Sequence, residues 1–413
     1  MKKRVLSLGA GVDQVELIKT LQKYKCEVFA VDKNPNAPGS KVADYFFPID
    51  TLDCEKLIEL SIKFNIEYVA VVSTERPLVA ASIISQKLNL PFLLTHEQSL
   101  EVTDKIRMKK LMFSNNILSA KYDIVRSYSD LIKKVKSFDL PVIIKPTDSS
   151  GSRGISIYTG QEELQSVWDR AIMSSQAGSC LVEEFLVNGV EISIDAIIIQ
   201  GKLKTIMTSQ TITNTVNSNV GIVTASIVPA KISNEMFLLA KEIMQSIVSS
   251  LKLTNSLFFA QFIIKNNNLF LLEYSARNTG GSKIDLIKYA YGIDVMDLYV
   301  SLLFGKKLRF EEKLFDEKTS CALFIYSQTG IIKSLKQLDY LKESLVIDKF
   351  FIYKNEGSAI RKIQDRSDRV GVVFISSTSG TSGLKHKIQE FVSEMKILDD
   401  NNKDLFYREI YQL

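Results

Sequence analysis

Lys145 ends an apolar run, Val142, Ile143 and Ile144. Pro146 and a polar, small-residue loop follow, and alternation resumes at Ile155 and Ile157. Strand, glycine-bearing loop and strand read as a hairpin. Ser150, Gly151, Ser152 and Gly154 let a backbone come close to phosphate oxygens, and Lys145 and Arg153 add positive charge at the two ends. A Walker loop would instead lead into a helix and end in Gly-Lys-Ser/Thr; this stretch does neither. An exposed turn with solvated charges accounts for the same residues, so the hairpin needs company.

Company comes from CLVEEFLVNGVEISIDAIII, where Glu183 and Glu184 precede a short apolar link and Glu191 follows a Gly189 turn. Acids flanking such a link suit a purine held between two lobes. One carboxylate can accept from the exocyclic amine, backbone groups can read the ring edge, and another carboxylate can accept from ribose hydroxyls. Further on, LFFAQFII and LFLLE read as paired strands that place Gln261 and Glu273 where both could offer oxygen to one cation. Hard oxygen ligands with few protein donors suit Mg²⁺ shared with phosphates. Residues 274–282 then form a loop with one permanent cation, Arg277, and the paired glycines 280 and 281.

The elements that would carry these residues follow an α/β rhythm. A strand at 5–8, a Gly9-Ala10-Gly11 turn, a helix with Val15, Leu17, Ile18 and Leu21, and a strand at 28–31 ending in Asp32 open the chain. Gly-x-Gly with an acid about 20 residues later is part of a dinucleotide fingerprint, but Gln14 stands where its third glycine belongs, so a tight first turn is the alternative. Alternation continues through 68–72 and 78–88, giving a doubly wound α/β domain over residues 1–100. TDKIRMKKLMFSNNI is a basic amphipathic helix with Ile106, Leu111, Met112 and Phe113 as its apolar set, capped by Thr103 or Asp104. Lys105, Arg107, Lys109 and Lys110 form its solvated face, although a first-turn lysine can also reach an anion. Thr213 to Asn219 read as a polar loop. From about Thr319 the chain is β-rich again, with a closing helix near 388–395.

With 52 basic and 47 acidic residues, the charge is too balanced for a nucleic-acid binder. Two histidines leave little for a His-based triad, and four scattered cysteines without metal-type pairing point to a reducing, cytoplasmic setting. No run approaches the ~20 apolar residues of a membrane span, and the N-terminal apolar run is too short for a signal peptide.

Taken in order, the GAG turn, Asp104-Lys105, IIKPTDSSGSRGI, VEEFLVNGVEIS, LLEYSARNTGG and DRVGVVFISS resemble the ATP-grasp superfamily. The likeness is strongest to its carboxylate–amine ligases of the L-amino acid (dipeptide) ligase and carbamoyl-phosphate-synthetase-like kind. The resemblance implies a multidomain α/β and α+β fold. A pre-ATP-grasp α/β domain would span 1–100 and a two-lobed ATP-grasp domain 101–312, with its small lobe at 120–187 and its large lobe at 188–312. A β-rich α+β domain would span 313–413.

The same resemblance implies ATP and Mg²⁺, with Mn²⁺ as a substitute. Lys105 and Lys145 hold the phosphates, and Ser150 to Gly154 close as a flap. Glu184 accepts from the adenine amine, with Glu183 beside it and the backbone of Phe185, Leu186 and Val187 around the ring; Glu191 takes the ribose. Gln261 and Glu273 hold metal. Ser275 stands where the family usually has Asn, which leaves a second Mg²⁺ in question. Arg277, with Lys145 and Arg153, carries the catalytic charge. Specificity is expected from the turn at Thr74, Glu75 and Arg76, from the loop at 213–223 and from 277–283. The implied reaction joins a small carboxylate and an amine, amino acids among them, through an acylphosphate, with release of ADP and phosphate. No nucleic-acid or membrane partner is implied, and homodimers are common in the family. A phosphotransferase that stops at the phosphorylated acceptor and a non-catalytic ATP-binding protein are the alternatives.

Overall fold

The computed structural model of the protein describes residues 2–149, 154–216, 220–312, 318–364 and 366–411. Strands β1 (Arg4–Leu8), β2 (Glu27–Val31), β3 (Tyr45–Phe47) and β4 (Tyr68–Ala70) form a parallel sheet in the order β3-β2-β1-β4. Helices α1 (Val12–Lys23), α2 (Cys54–Lys63) and α3 (Arg76–Leu88) make its connections. The nearly continuous burial of β1 and β2 is what a sheet covered on both faces requires. The first turn uses its polar groups internally. Asp32 Oδ2 accepts from Ala10 N at 3.1 Å, Gln14 Nε2 donates to Val72 O at 2.9 Å, and Gly9 sits at φ +105°. The glycine turn is therefore a tight corner of the fold.

Helix α4 (His96–Glu101) starts with a Thr95 capping box. Helix α5 (Lys105–Ser114) starts at Asp104, whose carboxylate accepts from the amides of Ile106 and Arg107. The buried face of α5 differs from the expected one. It consists of Lys105, Met108, Lys109 and Met112, while Phe113 is 83% exposed. These positions share one helical stripe, and burial follows that stripe even where it holds lysine.

The small antiparallel sheet contains β5 (Tyr122–Val125), β6 (Val142–Pro146), β7 (Ser156–Tyr158) and β8 (Cys180–Glu184), in the order β5-β8-β6-β7. The expected hairpin is β6–β7, with Val142 opposite Tyr158 and Ile144 opposite Ser156. Val125, Val142, Ile144, Cys180 and Val182 pack on α6 (Tyr128–Val135) and α7 (Leu164–Met173). By the two-residue period of a strand, Ile143, Lys145 and Glu183 project from the other face.

Of the ten remaining strands, β15 and β17 pair separately, and the other eight build one antiparallel sheet, ordered β13-β12-β9-β10-β11-β14-β18-β16. Its first part comprises β9 (Val190–Ile199), β10 (Lys202–Val216), β11 (Val220–Val228), β12 (Ser256–Lys265) and β13 (Asn268–Ser275). Helix α8 (Asn234–Ser250) covers one face; α9 (Lys283–Tyr291) and α10 (Val295–Leu303) cover the other. The loop expected at 213–219 is largely strand: β10 runs to Val216 and β11 resumes at Val220, while 217–219 lie outside the described residues. Beyond β14 (Thr319–Ile325) come β15 (Gly330–Ile331), α11 (Gln337–Glu343), β16 (Lys349–Ile352), β17 (Ala359–Ile360), β18 (Gly371–Ser377) and α12 (Gly380–Glu394). Strands β14, β18 and β16 extend the large sheet through the β11–β14 pairing, so the boundary drawn at residue 312 divides the chain but not the sheet.

Candidate functional site

The inner face of the small sheet carries a buried charge cluster. Lys145 Nζ lies 2.6 Å from Glu183 Oε2, and Lys109 Nζ, reaching from α5, lies 3.2 Å from Glu183 Oε1. Burial pushes the Glu183 carboxyl up, but Lys145 and Lys109 together hold it below the ordinary glutamate value. Burial also pushes the Lys109 ammonium down, with Lys145 adding to that and Glu183 opposing it. Beside the cluster, Lys105 Nζ donates to Ser149 O at 2.6 Å. Lys105 thus reaches the stretch that follows Lys145 and Pro146 in the chain. Ser150, Gly151, Ser152 and Arg153 lie outside the described residues. Gly154 has φ +75°, and a Cβ there would lie 2.6 Å from Ser174 Cβ, so glycine is required.

Glu183 and Glu184 part company because neighbouring strand residues face opposite ways. Glu184 is only partly buried, its amide donates to Lys121 O, and its side chain lies on the face away from Lys145. After it, Val187 N bonds Phe185 O at 2.8 Å and Gly189 N bonds Leu186 O at 3.1 Å, which forms a tight link into β9. A Cβ on Gly189 would sit 2.2 Å from Ile263 Cγ2, so this link has no room for a side chain there.

Across the link, β9 presents Glu191, Ser193 and Asp195 on one face. Ser193 is opposite Gln261 of β12 and Ser209 of β10, and Gln261 is opposite Glu273 of β13. Glu273, Gln261, Ser193 and Ser209 therefore form one row across four strands, with neighbours about 5 Å apart. Burial raises the Glu191 carboxyl against the pull of Lys283 and a hydrogen bond with Thr211. Burial likewise raises Asp195, against Lys283 and Thr279. Among the described residues, Ser193 Oγ and Asp195 Oδ2 are buried without a hydrogen-bond partner, and no group of three or more His, Cys, Asp or Glu residues is arranged to hold a metal. The Gln261–Glu273 pair supplies two hard oxygens, which fits Mg²⁺ completed by phosphate oxygens and water. Ser275, two residues further along β13, is fully buried and donates to Val102 O at 2.9 Å.

The loop that follows is clamped from every side. Arg277 Nη2 lies 2.5 Å from Glu75 Oε1, its Nη1 donates to Asn278 O, and its guanidinium rests 4.9 Å from the Phe259 ring centre. Asn278 exchanges two hydrogen bonds with Ser73, and Gly281 N donates to Asp13 Oδ2. Thr279 Oγ1 donates to Asp195, Ser282 bonds Tyr353, and Lys283 Nζ donates to Ser209 Oγ at 2.9 Å. Two of the expected specificity elements, the Glu75 turn and residues 277–283, thus meet directly. The sequence alone does not single out Lys109, Ser193 or Asp195 as site residues. Their one legible signal is polarity on a face otherwise destined for burial.

Residues 110–288 match the family model of the ATP-grasp domain. The formate-dependent phosphoribosylglycinamide formyltransferase of Prochlorococcus marinus (strain MIT 9301) is 31% identical over 194 residues, covering 45% of this chain and 48% of that protein. The protein of the same description from Mannheimia succiniciproducens is 27% identical over 194 residues, with 46% and 49% covered. The chain spans about half the length of the curated relatives it matches. Among solved structures, the L-amino acid ligase from Bacillus licheniformis superposes with a TM-score of 0.80 at 17% identity, covering 97% of this chain and 99% of that one. Phosphoribosylglycinamide synthetase from Anaerococcus prevotii gives 0.71 at 22% identity, covering 97% and 100%. At these identities the likeness is one of fold, and it extends along nearly the whole chain. The family likeness thus rests on residues 110–288, which match the ATP-grasp domain model, within a fold shared along nearly the whole chain.

Proposed function

We propose that the protein is an ATP-dependent carboxylate–amine ligase that forms an amide or peptide bond and releases ADP and phosphate. The observation that carries this reading is a graded site: surplus positive charge at the small-lobe loop, an oxygen pair on facing strands, and a buried arginine beyond them. In that order they suit a polyphosphate, a hard cation and an acyl acceptor. ATP supplies the phosphoryl group that turns a carboxylate into an electrophilic acylphosphate, and Mg²⁺ offsets phosphate charge.

Lys105 and Lys145 bind the phosphates. Glu183, rather than Glu184, accepts from the purine amine, since its carboxylate shares the inner face with Lys145. The backbone of Phe185 to Val187 borders the ring and Glu191 takes the ribose. Gln261 and Glu273 hold the metal; the hydroxyl proton of Ser275 is committed to Val102. Arg277 neutralises charge on the transferred group and stabilises the oxyanion formed when the amine attacks. The substrates are small carboxylates and amines, amino acids among them. The working compartment is the cytoplasm, in keeping with four cysteines that all stand as free thiols.

The test is ADP release from MgATP against amino acids offered singly and in pairs. Wild-type turnover should appear with particular pairs, and Lys145→Ala and Glu273→Ala should each abolish it. Wild-type-like turnover in either variant would sink the assignment.

A further inference from the structure

Lys109 holds none of the roles above, yet its side chain is only 2% exposed and it faces the carboxylate at the centre of the nucleotide end. One cation is enough to keep a buried carboxylate ionised. Glu183 has two, Lys145 at 2.6 Å and Lys109 at 3.2 Å. The second is surplus unless the first leaves. Lys145 is the one placed to leave: it is the more exposed of the two at 12%, and it lies one residue before the end of β6. Lys109 is enclosed by Glu183 and by the Tyr122 ring, whose centre is 5.3 Å from its Nζ. Among the described residues, neither Lys109 Nζ nor Glu183 Oε1 completes a hydrogen bond, so the pair has directional capacity left for a tighter contact.

We propose that Lys109 is a positioning residue that holds Glu183 as a fixed anion when Lys145 moves from that carboxylate to the nucleotide phosphates. This rests on the ATP-site reading above. Lys145 then changes partner without leaving a bare carboxylate behind, and Glu183 stays ready for the purine amine.

The mechanism has a proton signature. The titratable groups facing Glu183 are Lys109 from α5, Lys145 from β6 and Tyr122 from β5, whose phenol is pushed up by burial and by Glu183 itself. In the wild type the exchange keeps Glu183 paired, so binding moves no proton. In Lys109→Met, departure of Lys145 strands the carboxylate, and binding draws a proton onto it.

Isothermal titration of MgATP into the full-length protein near neutral pH, in buffers of different ionisation enthalpy, counts those protons. We expect none for the wild type and for Lys109→Arg. Lys109→Met should take up as much as one proton, with Kd raised about tenfold and rising further with pH, a one-unit cost for an unmatched group. Wild-type Kd and no uptake in Lys109→Met would overturn the proposal. So would proton uptake by the wild type, a measurement that stands even where Lys109→Met fails to fold. Lys145→Ala binding MgATP like the wild type would instead remove the nucleotide site itself, a different failure.

Discussion

Two buried ion-pair centres, one on the small sheet and one on the loop after β13, are built differently. At the small-lobe end, one carboxylate, Glu183, serves two lysines, and atoms on both sides of the Lys109 contact lack hydrogen bonds. At the other end Arg277 and Glu75 match one to one at 2.5 Å, each 8% exposed, and only the arginine Nε is left over among the described residues. The first centre carries net positive charge. The second is neutral and braced by Asn278, Phe259 and the Ser73 loop. Buried charges persist only when matched, so the surplus at the first centre marks where a polyanion supplies the balance. An anion approaching Arg277 has to compete with Glu75.

The sharpest way to break this division is Arg277→Ala. Losing a preorganised cation at the reacting group should lower turnover on the order of 10²–10³-fold. Binding of MgATP should stay near that of the wild type, because Arg277 lies on the loop after β13, apart from Lys105 and Lys145, the lysines proposed to bind phosphate. Titration beside a turnover assay separates the two effects. Equal weakening of MgATP binding by Arg277→Ala and Lys145→Ala would merge the centres into one.

Stability provides the next contrast. Truncating one partner of a buried pair costs roughly 3–5 kcal/mol, so Glu75→Gln and Glu183→Gln should each lower the melting temperature clearly at neutral pH. Glu183 is held below its ordinary value by its two lysines. Its contribution is therefore complete above the unfolded-state pKa of about 4.3 and is lost as pH falls through the lower folded value. Glu183→Gln should flatten the acid limb of a stability–pH profile. An unchanged limb would mean that the two lysines do not hold the carboxylate ionised.

Much of this architecture was legible in the sequence. The apolar runs announced β1, β2 and β6, and the turn chemistry announced the β6–β7 hairpin. The pairing that sets Gln261 opposite Glu273 followed from two apolar stretches joined by a short polar link. What escaped were properties fixed by partners far along the chain. Whether Glu183 or Glu184 turns inward depends on a one-residue register that composition does not encode. That Arg277 meets Glu75 depends on how the first sheet docks against the large one. Residues 213–216 of the segment read as a polar loop are strand because threonine fits a pleated, half-buried surface as well as it fits a turn.

Helix α5 shows the same lesson at smaller scale and offers the smallest effect to measure. By residue type, Phe113 belongs to the apolar face and Lys109 to the solvated one. The structure reverses both, since Glu183 provides Lys109 with a buried partner and nothing covers Phe113. A hydrophobic residue that stays in water contributes almost nothing on folding, so Phe113→Ser should change stability by less than about 0.5 kcal/mol. Met112→Ala, one residue earlier and fully buried, should cost about 2–5 kcal/mol through the cavity it leaves. Denaturant unfolding of the two variants side by side measures the difference. A larger loss for Phe113→Ser would restore the helix face expected from residue type and, with it, turn Lys109 away from Glu183.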